Sequence, residues 1–193
     1  MPRDYDKLAS TVLYLLRGCA PARPGLTSLL KMVWYGDYWH YRRHLRRITE
    51  ADYVALARGP VIDDYENILS AFVTEGLLRR EEVPVQGHPE NPKIEYVPLM
   101  EPDESLFLET EIEVLNQVIR ECGDKTGTQL TERTHREGPW VFTWSANRPG
   151  QRISDVALRW LDNLPSESDL LEAKKAVSRA EVAEQIKALT AAA

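Results

Sequence analysis

The sequence predicts an α+β domain that is predominantly α-helical: a compact helical body with a small β-hairpin or sheet, followed by a C-terminal helical extension. Three observations predict it. Apolar residues recur at helical spacing through most of the chain. Two alternating runs flank a loop rich in Gly and Pro, as hairpin strands do. An Ala-rich amphipathic run then follows Pro165.

In chain order, Leu8, Val12, Leu15 and Leu16 describe a first helix that stops at Arg17-Gly18. Pro21 and Pro24 fill the loop behind it, and Thr27 is the expected cap of a second helix. That helix places Leu30, Val33, Trp34 and Tyr38 on one side and ends near Leu45. Residues 48–58 read as an extended connection into a turn at Gly59-Pro60. Asp63 or Asp64 caps a third helix that turns Ile68, Leu69, Phe72, Val73 and Leu77 inward. The hairpin strands cover residues 78–85 and 94–97. This helix, helix, helix, hairpin order over residues 8–98 resembles a winged helix-turn-helix.

Residues 104–122 read as another helix burying Leu106, Leu108, Ile112, Leu115, Val118 and Ile119. A short helix near residues 127–135 follows, then an irregular stretch over 139–150, then a helix capped by Ser154 that runs to Leu164. The expected division sets a domain at residues 1–164 against an extension at 165–193, where Leu170, Val177, Ala180, Ile186 and Leu189 form a drifting stripe.

With 43% apolar and 28% charged residues in 193, the chain reads as soluble and globular. No uncharged apolar run approaches membrane length, the N-terminus lacks the basic n-region of a signal peptide, and Cys19 and Cys122 make no framework; together these predict a cytoplasmic protein. Charge is uneven. Residues 1–50 carry nine Lys/Arg against four Asp/Glu, whereas residues 51–120 carry five against fifteen. The two regions can pair or stand as separate patches.

Enzymatic signatures are missing: no nucleophile elbow, no Cys/His pair in helical context and no phosphate-cradling Gly loop. Asp37, His40 and His44 share a helical face, but Tyr41 stands where HExxH needs its glutamate, so neither a metal nor another cofactor is expected. Glu109, Glu111 and Glu113 read as a solvated face, and Trp140 and Trp144 as aromatic core or a binding cleft.

The densest chemistry lies in Trp39, Tyr41, Arg42, Arg43, Arg46 and Arg47. Four guanidiniums beside aromatic rings can engage phosphates, an acidic protein partner, or this chain's own Asp63, Asp64 and Glu66. The same Asp63, Asp64 and Glu66 open the helix that a winged-helix protein would insert into DNA, where they would repel phosphates. That argues for protein over nucleic acid.

Three blocks carry a family resemblance: Leu30-Lys31-Met32-Val33-Trp34-Tyr35-Gly36-Asp37, then Ile48-Thr49, then Tyr53-Val54-Ala55-Leu56-Ala57-Arg58-Gly59-Pro60-Val61. With Glu111 to Gly123, Leu130 to His135 and Pro139-Trp140, they make the chain similar to the Panacea domain of SocA-like antitoxins, a family also found in phage-associated proteins. The resemblance spans about residues 5–160. It implies the antitoxin of a type II toxin–antitoxin pair, binding a cognate protein toxin encoded by an adjacent gene, without catalysis, cofactor or membrane. A protease or chaperone can be a further partner, because some members deliver the toxin for degradation. A winged-helix DNA-binding regulator is the remaining alternative. The partner-binding residues expected are Lys31, Tyr35, Asp37, Trp39, Tyr41, Arg42, Arg43, Arg46, Arg47, Tyr53, Arg58, Gly59 and Pro60. Of these, Trp39 and Tyr41 are expected as aromatic anchors and the arginines as orienting charges.

Overall fold

A computed structural model describes residues 5–160 except Gln86 and Ala146, without the side chains of His88, Pro89, Val156, Arg159 and Trp160. The expected boundary at Pro165 and the helical extension lie outside the described residues. The centre of the fold is α2 (Leu26–His44), in which every side chain from Ser28 to Tyr41 is buried. A helix enclosed on all sides must be covered all round. The covering elements are α1 (Tyr5–Gly18), β2 (Gly59–Ile62), β4 (His88–Pro98), α4 (Glu109–Cys122) and α5 (Gly127–Thr134).

The first helix follows its apolar spacing, with Leu8, Val12, Leu15 and Leu16 all buried. The cap of α2 departs from expectation: Thr27 lies inside the first turn, and Gly25 occupies the cap position without a side-chain hydrogen bond. Leu45 ends the helix in the left-handed region (φ 56°), its N–H donating to the Tyr41 carbonyl.

The extended connection is a strand. β1 (Tyr53–Leu56) pairs antiparallel with β2, Leu56 opposite Gly59 and Ala55 opposite Pro60. The turn therefore falls at Ala57-Arg58, and Gly59-Pro60 begins the returning strand. Pro60 is tolerated because β2 is an edge strand, where a missing N–H costs no ladder bond. A short β5 (Gln151–Arg152) pairs with the other side of β1, giving the order β2-β1-β5. Nothing in the local sequence marked β5, because two residues carry no alternation pattern.

α3 (Tyr65–Thr74) buries Ile68, Leu69 and Phe72 and leaves Val73 and Leu77 half-buried. Asp64 is its cap residue and accepts from the Asn67 amide at 2.6 Å rather than from a backbone N–H. β3 (Leu78–Val85) and β4 form the expected hairpin, but β4 begins at His88 rather than at residue 94: the stretch read as a long loop belongs to the strand, paired through Val83–Lys93 and Val85–His88 with an irregularity between Val83 and Val85. The helix, helix, helix, hairpin order is thus present, with β1–β2 inserted between the second and third helices.

The expected helix over 104–122 is a 3₁₀ turn, Glu104–Leu106, followed by α4. The break places Phe107 in the core and leaves Leu108 exposed. Glu111 is fully buried, contrary to a solvated acidic face. Its carboxylate pairs with the buried Lys7 ammonium at 2.7 Å and accepts the Leu108 N–H at 2.8 Å. α6 (Gly138–Thr143) replaces the start of the irregular stretch, with Pro139 at its first turn. Ser154 does cap α7 (Asp155–Trp160), its hydroxyl accepting from the Ala157 N–H at 3.2 Å. Among the described residues no helix is long and apolar enough to cross a membrane.

Candidate functional site

Lys31, Tyr35 and Asp37 face different elements from one buried stretch of α2. Asp37 lies beneath the chain that leaves the helix. Its Oδ1 accepts the backbone N–H groups of Ile48 at 2.7 Å and Thr49 at 2.8 Å. Its Oδ2 accepts the Tyr53 hydroxyl at 2.7 Å and the Thr49 hydroxyl. One carboxylate thereby satisfies four donors in a segment that has no ladder of its own, which is what buried backbone requires. Burial pushes the Asp37 pKa up, and the hydrogen bonds from Thr49 and Tyr53 pull against it.

Lys31 performs the parallel task one turn and a half earlier. Its ammonium is fully buried and donates to the Pro60 carbonyl at 2.7 Å. Desolvation lowers its pKa to about 7. Gly59 is required beside it: its φ is +100°, and a Cβ there would fall 2.8 Å from Lys31 Nζ and 2.5 Å from Thr134 Oγ1. Lys31, Asp37, Ile48-Thr49, Tyr53 and Gly59-Pro60 therefore form one polar clasp that binds the β1–β2 hairpin to α2.

The aromatic residues expected at the surface are inside. Tyr35 is fully buried, with its hydroxyl 3.5 Å from Glu137, and Tyr53 keeps its hydroxyl on Asp37. Trp39 is 9% exposed and Tyr41 6% exposed. The Arg133 guanidinium lies 5.1 Å from the Trp39 ring and 4.9 Å from Tyr35, so both rings already have a cation over them. Little ring area is left on Trp39 or Tyr41 for an anchor.

The arginines separate by function. Arg47 is half-buried and donates to the Ala51 carbonyl at 2.7 Å, with Glu50 and Asp155 each at 3.7 Å. Arg42, Arg43 and Arg46 are exposed. Arg42 lies 5.6 Å from the Tyr38 ring, and Arg43 donates to the neutral Gln117 side chain at 2.6 Å. Among the described residues Arg43, Arg46 and Arg47 do not pair with Asp63, Asp64 or Glu66. The basic N-terminal quarter meets the acidic middle elsewhere, through Lys7–Glu111, Arg17–Glu101 and Arg23–Glu81. Arg58 is exposed at the β1–β2 turn.

His40 is buried and its ring is used. Its Nδ1 lies 2.5 Å from the Arg46 carbonyl and must donate to it, which leaves Nε2 to accept the Thr110 hydroxyl at 3.2 Å. Asp37 faces Thr49 and Tyr53 rather than the histidines, and no group of His, Cys, Asp and Glu among the described residues is placed to hold a metal ion.

Sequence reading placed Trp140 and Trp144 between core and cleft, and the structure divides them. Trp140 is buried, donates its indole N–H to the Leu56 carbonyl at 2.9 Å, and stacks on His135 with ring centroids 4.0 Å apart. Trp144 stacks on Trp140 at 5.6 Å and is half-buried. Between them Val141 and Phe142 point outward, Phe142 being 72% exposed. This outward pair was missed. Two apolar residues between two tryptophans at helical spacing were its only signal.

At the end of α2, Arg43 reaches Gln117 on α4 and Arg42 lies near Glu137, just before α6. Glu137 feels both Arg133 and Arg42, although burial is the larger influence and raises its pKa. A family model described as "Antitoxin SocA-like, Panacea domain" matches residues 29–141, from the first turn of α2 to α6. No curated protein and no solved structure matches the chain.

Proposed function

We propose that this chain, which belongs to the Panacea-domain family of SocA-like antitoxins, neutralises a cognate protein toxin by binding it directly, as the antitoxin of a type II pair. The toxin is the product of an adjacent gene, the encounter takes place in the cytoplasm, and the chain carries out no catalysis. The family match is the observation that supports this reading most. The geometry is consistent with it: the polar residues that look most like an active site are spent on the fold's own backbone, and exposed arginines remain beside them. Arg42, Arg43, Arg46 and Arg58 are the expected contact residues that remain accessible. Lys31, Tyr35, Asp37, Trp39, Tyr41, Tyr53, Gly59 and Pro60 support the surface from beneath, with Arg47 bracing the segment after α2.

Co-expression tests the reading. The adjacent gene's product is expected to arrest growth alone and to be harmless beside this chain, and the two proteins to co-purify. Toxicity that persists in the presence of this chain, or an adjacent product harmless by itself, would overturn it. Toxin abundance read in the same cells distinguishes modes: an unchanged lifetime under full protection means sequestration, and a shortened one means delivery to a protease. The exposed Asp63, Asp64 and Glu66 at the start of α3 speak against DNA as the ligand of that helix.

A further inference from the structure

β3 is an edge strand: it pairs with β4 on one side, and among the described residues no strand pairs with the other. The phase of the hairpin fixes which of its backbone groups face outward. The Leu99 N–H donates to the Leu77 carbonyl at 2.9 Å, so Leu77, Arg79, Glu81 and Val83 exchange their hydrogen bonds with the β4 side. The N–H and C=O groups of Leu78, Arg80 and Glu82 therefore turn away from it. Pro98 fits this phase, because it stands opposite Leu78, where the ladder does not need its missing N–H.

An open edge invites another strand, and charged side chains ordinarily keep it away. On β3 the charges run Arg79-Arg80-Glu81-Glu82, an order that complements itself when read in the opposite direction. Outward-facing residues meet only outward-facing residues, so a second copy lying antiparallel places the two-fold axis on a residue rather than between two. An axis at Arg80 sets Arg80 against itself, and one at Glu82 sets Glu82 against itself; like charges directly opposite destabilise a strand pair. An axis at Glu81 sets Arg80 of each copy opposite Glu82 of the other. The two Glu81 side chains then meet on the other face, but each already holds two guanidiniums, Arg79 at 2.8 Å and Arg23 at 3.0 Å. Arg80 and Glu82 are exposed, share one face and lie 2.8 Å apart within a single strand.

We infer that β3 is a self-association edge: two copies of this chain pair antiparallel about Glu81 and join their hairpins into one four-stranded sheet. Across the axis Arg80 and Glu82 exchange main-chain hydrogen bonds, and the two Arg80–Glu82 contacts between copies set the register. The pairing does not depend on the antitoxin reading.

Sedimentation equilibrium of the full chain tests it, read up to about 500 µM because a one-strand interface is small and its dimer weak. The wild type is expected to form a dimer. Arg80→Glu and Glu82→Arg, each shown to be folded by circular dichroism, are expected to dimerise about tenfold or more weakly. An equimolar mixture of the two variants is expected to recover association, because every like-charged contact then becomes an opposite one. A wild type that stays monomeric overturns the proposal. So does undiminished dimerisation of the single variants, which places the contact elsewhere. A mixture that fails to associate overturns it too, since the charges then do not face each other. A monomeric wild type whose binding to the adjacent-gene product is lost in Arg80→Glu assigns the edge to that product instead.

Discussion

The clasp around Asp37 and the exposed arginines at the end of the same helix, Arg42 and Arg43, use polar groups in opposite ways. Asp37 and Arg43 are six residues apart. The carboxylate has four protein donors and is buried, whereas the guanidinium has one neutral partner and open solvent. In the clasp, charge substitutes for backbone pairing that an irregular segment lacks, so losing it leaves buried donors unpaired. At the exposed Arg43, charge has little to stabilise in the fold itself. Polar residues crowded into a short sequence therefore do not amount to a site; the number of protein partners each has decides which kind it is.

The strongest way to break this contrast is Asp37→Ala. It orphans the N–H groups of Ile48 and Thr49 and the hydroxyl of Tyr53, and should cost about 3–5 kcal/mol in urea denaturation. Loss of toxin protection with stability unchanged would place Asp37 in the partner's contact surface instead. Trp39→Ala comes next. A ring so nearly buried should cost about 3–4 kcal/mol, and a cost near zero would return Trp39 to the contact surface as an anchor.

The third measurement uses pH. Lys31 has a folded pKa of about 7 against an unfolded value of 10.5, so between those values the unfolded chain binds more protons and stability rises with pH. The burial cost is full below pH 7. From pH 7 to 9 the expected gain is about 2–3 kcal/mol, before the raised thiols of Cys19 and Cys122 and the raised phenols of Tyr35 and Tyr53 act in the opposite sense. Lys31→Met should flatten the rise, and an equal slope in that variant would assign it to another group. The smallest effect sharpens the contrast from the other side. Arg43→Ala and Arg46→Ala should each change stability by less than about 0.5 kcal/mol while weakening protection from the toxin in co-expression.

Much of the helical frame was legible because apolar periodicity is a local property: α1, α2, α3 and β3 follow their patterns within a few residues, whereas β4 extends back to His88 through residues that read as a loop. The misreadings share a cause. Gly59-Pro60 looked like a turn because those residues favour turns, but Gly59 occupies a position that a side chain would overfill and Pro60 sits on a free edge. Glu111 looked solvated because its partner Lys7 is more than a hundred residues away, on α1. Trp39 looked available because nothing local revealed Arg133 over its ring.

By itself the sequence determined the α+β class, the principal helices and the family frame, because each rests on spacing within one segment or on the order of short blocks. Only the tertiary structure decided which of the clustered polar and aromatic residues are buried and which are offered to a partner. Burial depends on what arrives from distant parts of the chain: Lys7 for Glu111, Arg133 for Trp39, Thr49 and Tyr53 for Asp37. No local pattern records those meetings. The expected contact residues divide for the same reason: Arg43 stays exposed, while Trp39 four positions before it is covered by Arg133 from a distant helix.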